Sequence, residues 1–109
     1  MSIDDAWAVG LFEGEGCIAI EKRCQSALMT LKSTDIDVLH RLQTIWGGRV
    51  SVATKCKTNR KQPYVWVLQN KPVVRELLIR IMPFLGERRA CKALDAIDRI
   101  DRCYPEYST

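Results

Sequence analysis

Between positions 10 and 16 the chain reads GLFEGEG, which sets three glycines and two carboxylates where a helix is due to end. Glycine inside a helix costs about 1 kcal/mol relative to alanine, and a carboxylate in the last turn opposes the helix dipole by about 0.3–1 kcal/mol. Gly10, Glu13 and Glu15 therefore break local rules together, as residues of functional sites do. The chemistry these types allow is cation binding. Carboxylate, backbone carbonyl and phosphate oxygens are the ligands of a hard divalent ion such as Mg²⁺. Gly10 and Gly14 lie four apart, on one helix face, and without side chains they let a second helix approach closely. Two copies packed this way bring two Glu15 carboxylates side by side, and such a pair resists joint ionisation unless a cation lies between them. The spacing equally allows that Gly10 relieves crowding against a sheet while Glu13 and Glu15 are solvated turn residues, and on spacing alone both readings stand.

The second constellation is basic. Lys55, Lys57, Arg60 and Lys61 crowd the stretch TKCKTNRK (54–61) without an acid among them, in a chain of formal net charge +4. Such a loop draws a polyanion. The cysteines Cys17, Cys24, Cys56, Cys91 and Cys103 are odd in number and show no CxxC spacing, which argues against a disulfide framework and a zinc ribbon. No apolar run reaches the eighteen or so residues of a membrane helix, and the first residues, MSIDDAW, are acidic rather than an export signal. The expectation is a cytoplasmic protein with no membrane partner and no small-molecule substrate. At 109 residues and 47% hydrophobic, residues 1–109 fit a single domain.

Elements that would position these groups follow from periodicity. Ser2 with Asp5 is a capping box opening a first helix near Ile3, with Ala6, Trp7, Gly10 and Leu11 on one face and an end around Glu13 to Gly16. CIAIEKR then alternates, with Ile18 and Ile20 to one side, and SALMTLKS sets Met29 and Leu31 opposite Leu28, Thr30 and Lys32. Thr34 with Asp37 repeats the capping box before a stripe of Ile36, Leu39, Leu42, Ile45 and Trp46, closed by Gly47 and Gly48. RVSVATK (49–55) and PYVWVLQ (63–69) form a second hairpin, with Trp66 inward and His40 left on the surface. Lys71-Pro72 opens a helix buried through Val74, Leu77, Leu78, Ile81 and Met82, and Pro83 ends it. A final helix, about 88–103, would turn Cys91, Leu94, Ile97 and Ile100 inward, with Asp95–Arg99 and Asp98–Arg102 as i,i+4 pairs. The fold class is thus α+β: a four-stranded antiparallel sheet with helices on one face, plus a C-terminal helix. The other sheet face, with Glu21, Arg23, Thr30, Lys32, Arg49, Ser51 and Lys55, is left uncovered and polar.

Residues 8–16, AVGLFEGEG, resemble the signature of the LAGLIDADG homing endonucleases, and MPFLGERR (82–89) is similar to that family's Pro-aromatic-Leu segment followed by a basic residue. The family's αββαββα core overlays the chain from Ala6 to about Ala96. The resemblance implies a site-specific double-strand DNA endonuclease in which Glu15 and the Gly14 carbonyl bind the metal, Mg²⁺ or Mn²⁺. Arg88 would be catalytic, standing where the family usually has lysine. Arginine neutralises a phosphate but does not deprotonate, so charge stabilisation is the role it retains. One copy of the motif implies a homodimer, joined through Trp7, Gly10, Leu11 and Gly14, that cuts a palindromic or near-palindromic duplex. Glu21, Arg23, Thr30, Lys32, Arg49 and Ser51 would reach base edges. Lys55, Lys57, Arg60 and Lys61 would contact phosphates. Ser33 falls near a family position that orients water, beside a capping Thr34. Phage, bacterial and organellar genes are the sources the resemblance suggests. The alternatives are a catalytically inactive DNA-binding protein or maturase-like splicing cofactor on the same scaffold, and a basic protein-interaction domain for which the glycine helix is only a seam.

Overall fold

A computed structural model of the chain describes residues 2–21, 26–53 and 61–107. Its elements are α1 (Ile3–Glu15), β1 (Gly16–Ile20), β2 (Ala27–Ser33), α2 (Ile36–Trp46), β3 (Arg49–Val52), β4 (Tyr64–Leu68), α3 (Lys71–Ile81) and α4 (Glu87–Cys103), with short 3-10 turns at Met82–Phe84 and Pro105–Tyr107. The Ser2 hydroxyl accepts from the Asp5 amide at 3.0 Å, so the first helix begins at its expected cap. Asn70 caps α3, with Pro72 in its first turn, and the helix ends where Pro83 lacks the amide to continue it.

The strands form one antiparallel sheet in the order β1-β2-β4-β3. The two hairpins therefore join through their second strands, with Leu31 opposite Trp66 and Met29 opposite Leu68. Alternation turns Ile18, Met29, Leu31, Trp66 and Leu68 to the helices, where all are buried. Phe12 of α1 meets Trp46 of α2 edge to face, with centroids 6.2 Å apart, and Trp46 in turn lies 6.2 Å from Trp66. Both buried indoles find acceptors. Trp66 donates to the Gly47 carbonyl at 2.7 Å, and Trp46 donates to the Asp5 carboxylate at 3.0 Å. That bond, followed by the Arg80 guanidinium and the Ser2 hydroxyl, holds the Asp5 carboxyl below its ordinary 3.8 although burial pushes the other way. Gly48, at φ 95°, has no room for a side chain: a Cβ would lie 2.7 Å from both Trp66 Nε1 and the Val67 carbonyl.

Two expectations from the sequence are corrected. Asp35, not Thr34, stands at the N-cap of α2, and it makes no side-chain cap bond. Ser33 instead accepts from the Asp35 amide at 3.0 Å, because β2 runs on to Ser33 and places that hydroxyl at the helix entrance. In α4 the buried face is Ala93, Ala96 and Ile100, while Cys91 and Leu94 are exposed, Leu94 by 55%. Small alanines let the helix backbone come close to the sheet and α3, and that close approach outweighs the larger Cys91 and Leu94 stripe. The i,i+4 pairs Asp95–Arg99 and Asp98–Arg102 form at 3.0 Å on the outer side. Among the described residues no helix is long and apolar enough to cross a membrane.

Candidate metal centre and nucleic-acid interface

At the end of α1 the Gly16 amide bonds back to the Phe12 carbonyl and the chain passes at once into β1. The Phe12 ring lies over Gly16 so closely that a Cβ there would fall 2.2 Å from it. This tight junction leaves Gly14 and Glu15 exposed at the place where the motif helix meets the open sheet. A helix C-terminus carries partial negative charge, which adds to the Glu15 carboxylate in attracting a cation.

Glu13 is placed differently. Its Oε1 lies 2.7 Å from the point a Cβ on Gly86 would occupy, and its Oε2, shielded from solvent and without a hydrogen bond, is 3.7 Å from Arg89 Nε. Arg89 Nε also donates to the Glu13 carbonyl at 3.1 Å, satisfying one of the last carbonyls of α1. A carboxylate unfavourable at its own helix end thus sits against the N-terminus of α4, where the dipole favours it. Glu13 and Arg89 join the two helices, a contact between residues 76 apart that the sequence did not signal. Arg88, their neighbour, is exposed in the first turn of α4 and has no ion pair or hydrogen bond among the described residues. Cations are disfavoured at that helix end, so nothing in the fold explains it.

The outer face of α1 lies opposite its buried Ala8, Val9 and Phe12. A Cβ on Gly10 or Gly14 would meet no atom within 4 Å, which removes the reading that Gly10 relieves crowding against the sheet. Trp7 and Leu11 on this side are half-buried, and the Arg41 guanidinium stacks 4.0 Å from the Trp7 ring centroid while reaching Asp4 at 3.8 Å.

On the open sheet face the register sets Cys17, Thr30, Val67 and Arg49 in one cross-strand row and Lys32, Val65 and Ser51 in the next. Lys32, Arg49 and Ser51 are exposed and Thr30 is half-buried. The Glu21 carboxylate pairs with the Lys71 ammonium, which also donates to the Ala27 carbonyl at 2.9 Å. Glu21 is therefore held to the start of α3. Lys61 is exposed beside Thr34, Asp35 and Tyr64, with which it lines an open cleft. Arg23, Lys55, Lys57 and Arg60 lie outside the described residues.

Among the described residues no three His, Cys, Asp or Glu side chains gather as a metal site. The Glu15 carboxylate and the Gly14 carbonyl are oxygen donors of the kind a hard divalent ion takes.

No protein-family model matches this chain, and no curated protein does. Solved structures do. The chain is similar to the homing endonuclease I-CvuI in complex with its target in the presence of Ca, with a TM-score of 0.67 and 16% identity over 93% of this chain and 68% of that one. It is similar to the archaeal intron-encoded homing endonuclease I-Vdi141I complexed with DNA, with a TM-score of 0.63 and 15% identity over 95% of this chain and 81% of that one. The group I intron-encoded homing endonuclease I-CeuI complexed with DNA matches at a TM-score of 0.60 and 14% identity, over 99% of this chain but 55% of the other. At such identities the likeness is one of fold. The chain has the α+β architecture of the LAGLIDADG homing endonucleases.

Proposed function

We propose that this homing-endonuclease fold acts as a site-specific, metal-dependent endonuclease on double-stranded DNA, as a homodimer on a palindromic or near-palindromic target. One observation carries the reading: Glu15 is exposed where the open α1 face, bare at Gly10 and Gly14, meets the edge of the uncovered sheet. A copy packed on that face completes the half-site, and a duplex lying on the sheet brings phosphate to it.

Glu15 and the Gly14 carbonyl hold the divalent ion, Mg²⁺ or Mn²⁺. When bound, such an ion supplies Lewis acidity and lowers the pKa of coordinated water. Arg88, permanently charged, neutralises the scissile phosphate and gives it a fixed place. Lys32, Thr30, Arg49 and Ser51 face base edges, where arginine favours guanine. Lys61, with Lys55, Lys57 and Arg60, holds the backbone and sets the salt dependence of binding. Glu21 contributes indirectly, by tying the end of β1 to α3 through Lys71.

Arg88 also favours a second reading, a DNA-binding or splicing derivative that no longer cuts, because arginine does not serve as a proton acceptor. Glu15→Gln separates the two. On the nuclease reading the wild type nicks its selected duplex in Mg²⁺ or Mn²⁺, and the variant binds with similar affinity but does not cut. A wild type that binds without nicking, with an unaltered variant, supports the derivative. Retention on duplex DNA that ignores salt would sink both and leave a protein-interaction domain.

A further inference from the structure

β4 reads YVWVL, and alternation sends Trp66 and Leu68 under the helices. Val65 and Val67 are consequently left half-buried on the open face, in the second of its two central strands. The register flanks Val67 with Thr30 and Arg49, and Val65 with Lys32 and Ser51. Val65 and Val67 thus stand among Thr30, Lys32, Arg49 and Ser51, on a face that also carries the half-buried Leu28 and Ala19 farther along β2 and β1. The following inference rests on the reading of that surface as the DNA-binding face.

We propose that Val65 and Val67 read thymine methyl groups and so determine part of the target sequence. Base edges in the major groove present hydrogen-bond donors and acceptors, and the one apolar group among them is the thymine C5-methyl. A valine pressed on a guanine or cytosine edge strips water from polar atoms and returns no hydrogen bond. Against thymine it buries methyl on methyl. Alternate residues of a strand are about 6.8 Å apart, close to two base-pair steps of about 3.4 Å each. With β4 along the groove, each half-site carries thymines two positions apart, and Arg49 beside Val67 sets a guanine next to one of them.

The test begins with selection of duplexes from a randomised library in Ca²⁺, followed by replacement of each thymine in the winning site, one at a time, by deoxyuridine. That change removes the methyl and leaves every hydrogen bond in place. Wild-type binding weakens about fourfold at two positions two steps apart, the effect of one buried methyl. The penalty disappears at one position in Val65→Thr and at the other in Val67→Thr, substitutions that keep the β-branched shape. Uniform binding within about twofold across all deoxyuridine sites overturns the inference while the DNA-binding reading stands, and so does a penalty unchanged in both variants. A library that enriches no sequence removes the DNA-binding reading, and the inference falls with it.

Discussion

Replacing Gly10 and Gly14 by alanine reverses the sign of its effect according to whether the outer face of α1 is a seam or a solvent surface. Within one protomer neither new methyl meets an atom within 4 Å, so there is no steric cost. Gly10 lies inside the helix, where alanine is worth about 1 kcal/mol, and Gly14, near the end, gains less. On a solvent face the double variant therefore melts higher, by roughly 4 °C or more for a domain of this size. In a homodimer the substitution counts in both chains and places four methyls between helices that must otherwise touch. The helix axes move apart, the contacts of Trp7 and Leu11 across the seam loosen, and association weakens. The assay is thermal melting at several protein concentrations, with sedimentation in the presence and absence of target duplex. The wild type should sediment as a dimer on DNA, and the variant should lose dimer and melt lower at low concentration. A variant that melts higher and sediments like the wild type would refute the seam, and with it the shared metal site.

Two further outcomes test the scaffold. Gly48→Ala combines a positive φ with overlap onto Trp66 and the Val67 backbone, and should destabilise by about 2–4 kcal/mol in a denaturant titration; a loss below about 1 kcal/mol would contradict the packing described. Asp5, held below 3.8 by the Trp46 indole first, contributes stability that is present above that value and is lost as pH falls through the lowered folded value. Asp5→Asn should accordingly flatten the acid limb of the melting profile and alter Trp46 fluorescence at neutral pH, and identical acid limbs for variant and wild type would remove that account.

Much of the architecture was legible in the sequence because its signals are local. The Ser2 cap, the alternation around Ile18, Met29 and Trp66, and the Pro83 break each need only a few neighbouring residues. Local signals failed where tertiary packing decides. Ser33 and Asp35 take the roles given to Thr34 because the strand extends to the helix entrance, and α4 turns its alanines inward because close approach to the sheet rewards small side chains. Alternation named the open face, but only the β2–β4 pairing shows which of its residues are neighbours. Glu13 had no interpretable role in the sequence, since its partners, Gly86 and Arg89, are distant in the chain and meet it only in the folded state.

The division between Glu13 and Glu15 has an evolutionary consequence. Two acids two positions apart carry separate duties, one joining helices and the other facing outward without a structural partner among the described residues. On the proposed function, loss of the outward acid removes a metal ligand and leaves the core, the sheet and the helix joint intact, so a single base change would silence cutting without unfolding the protein. On that reading a lineage built on this scaffold is one mutation from a stable DNA-binding protein with no nuclease, whereas loss of the inward acid removes one of the two contacts that tie α1 to Arg89 of α4.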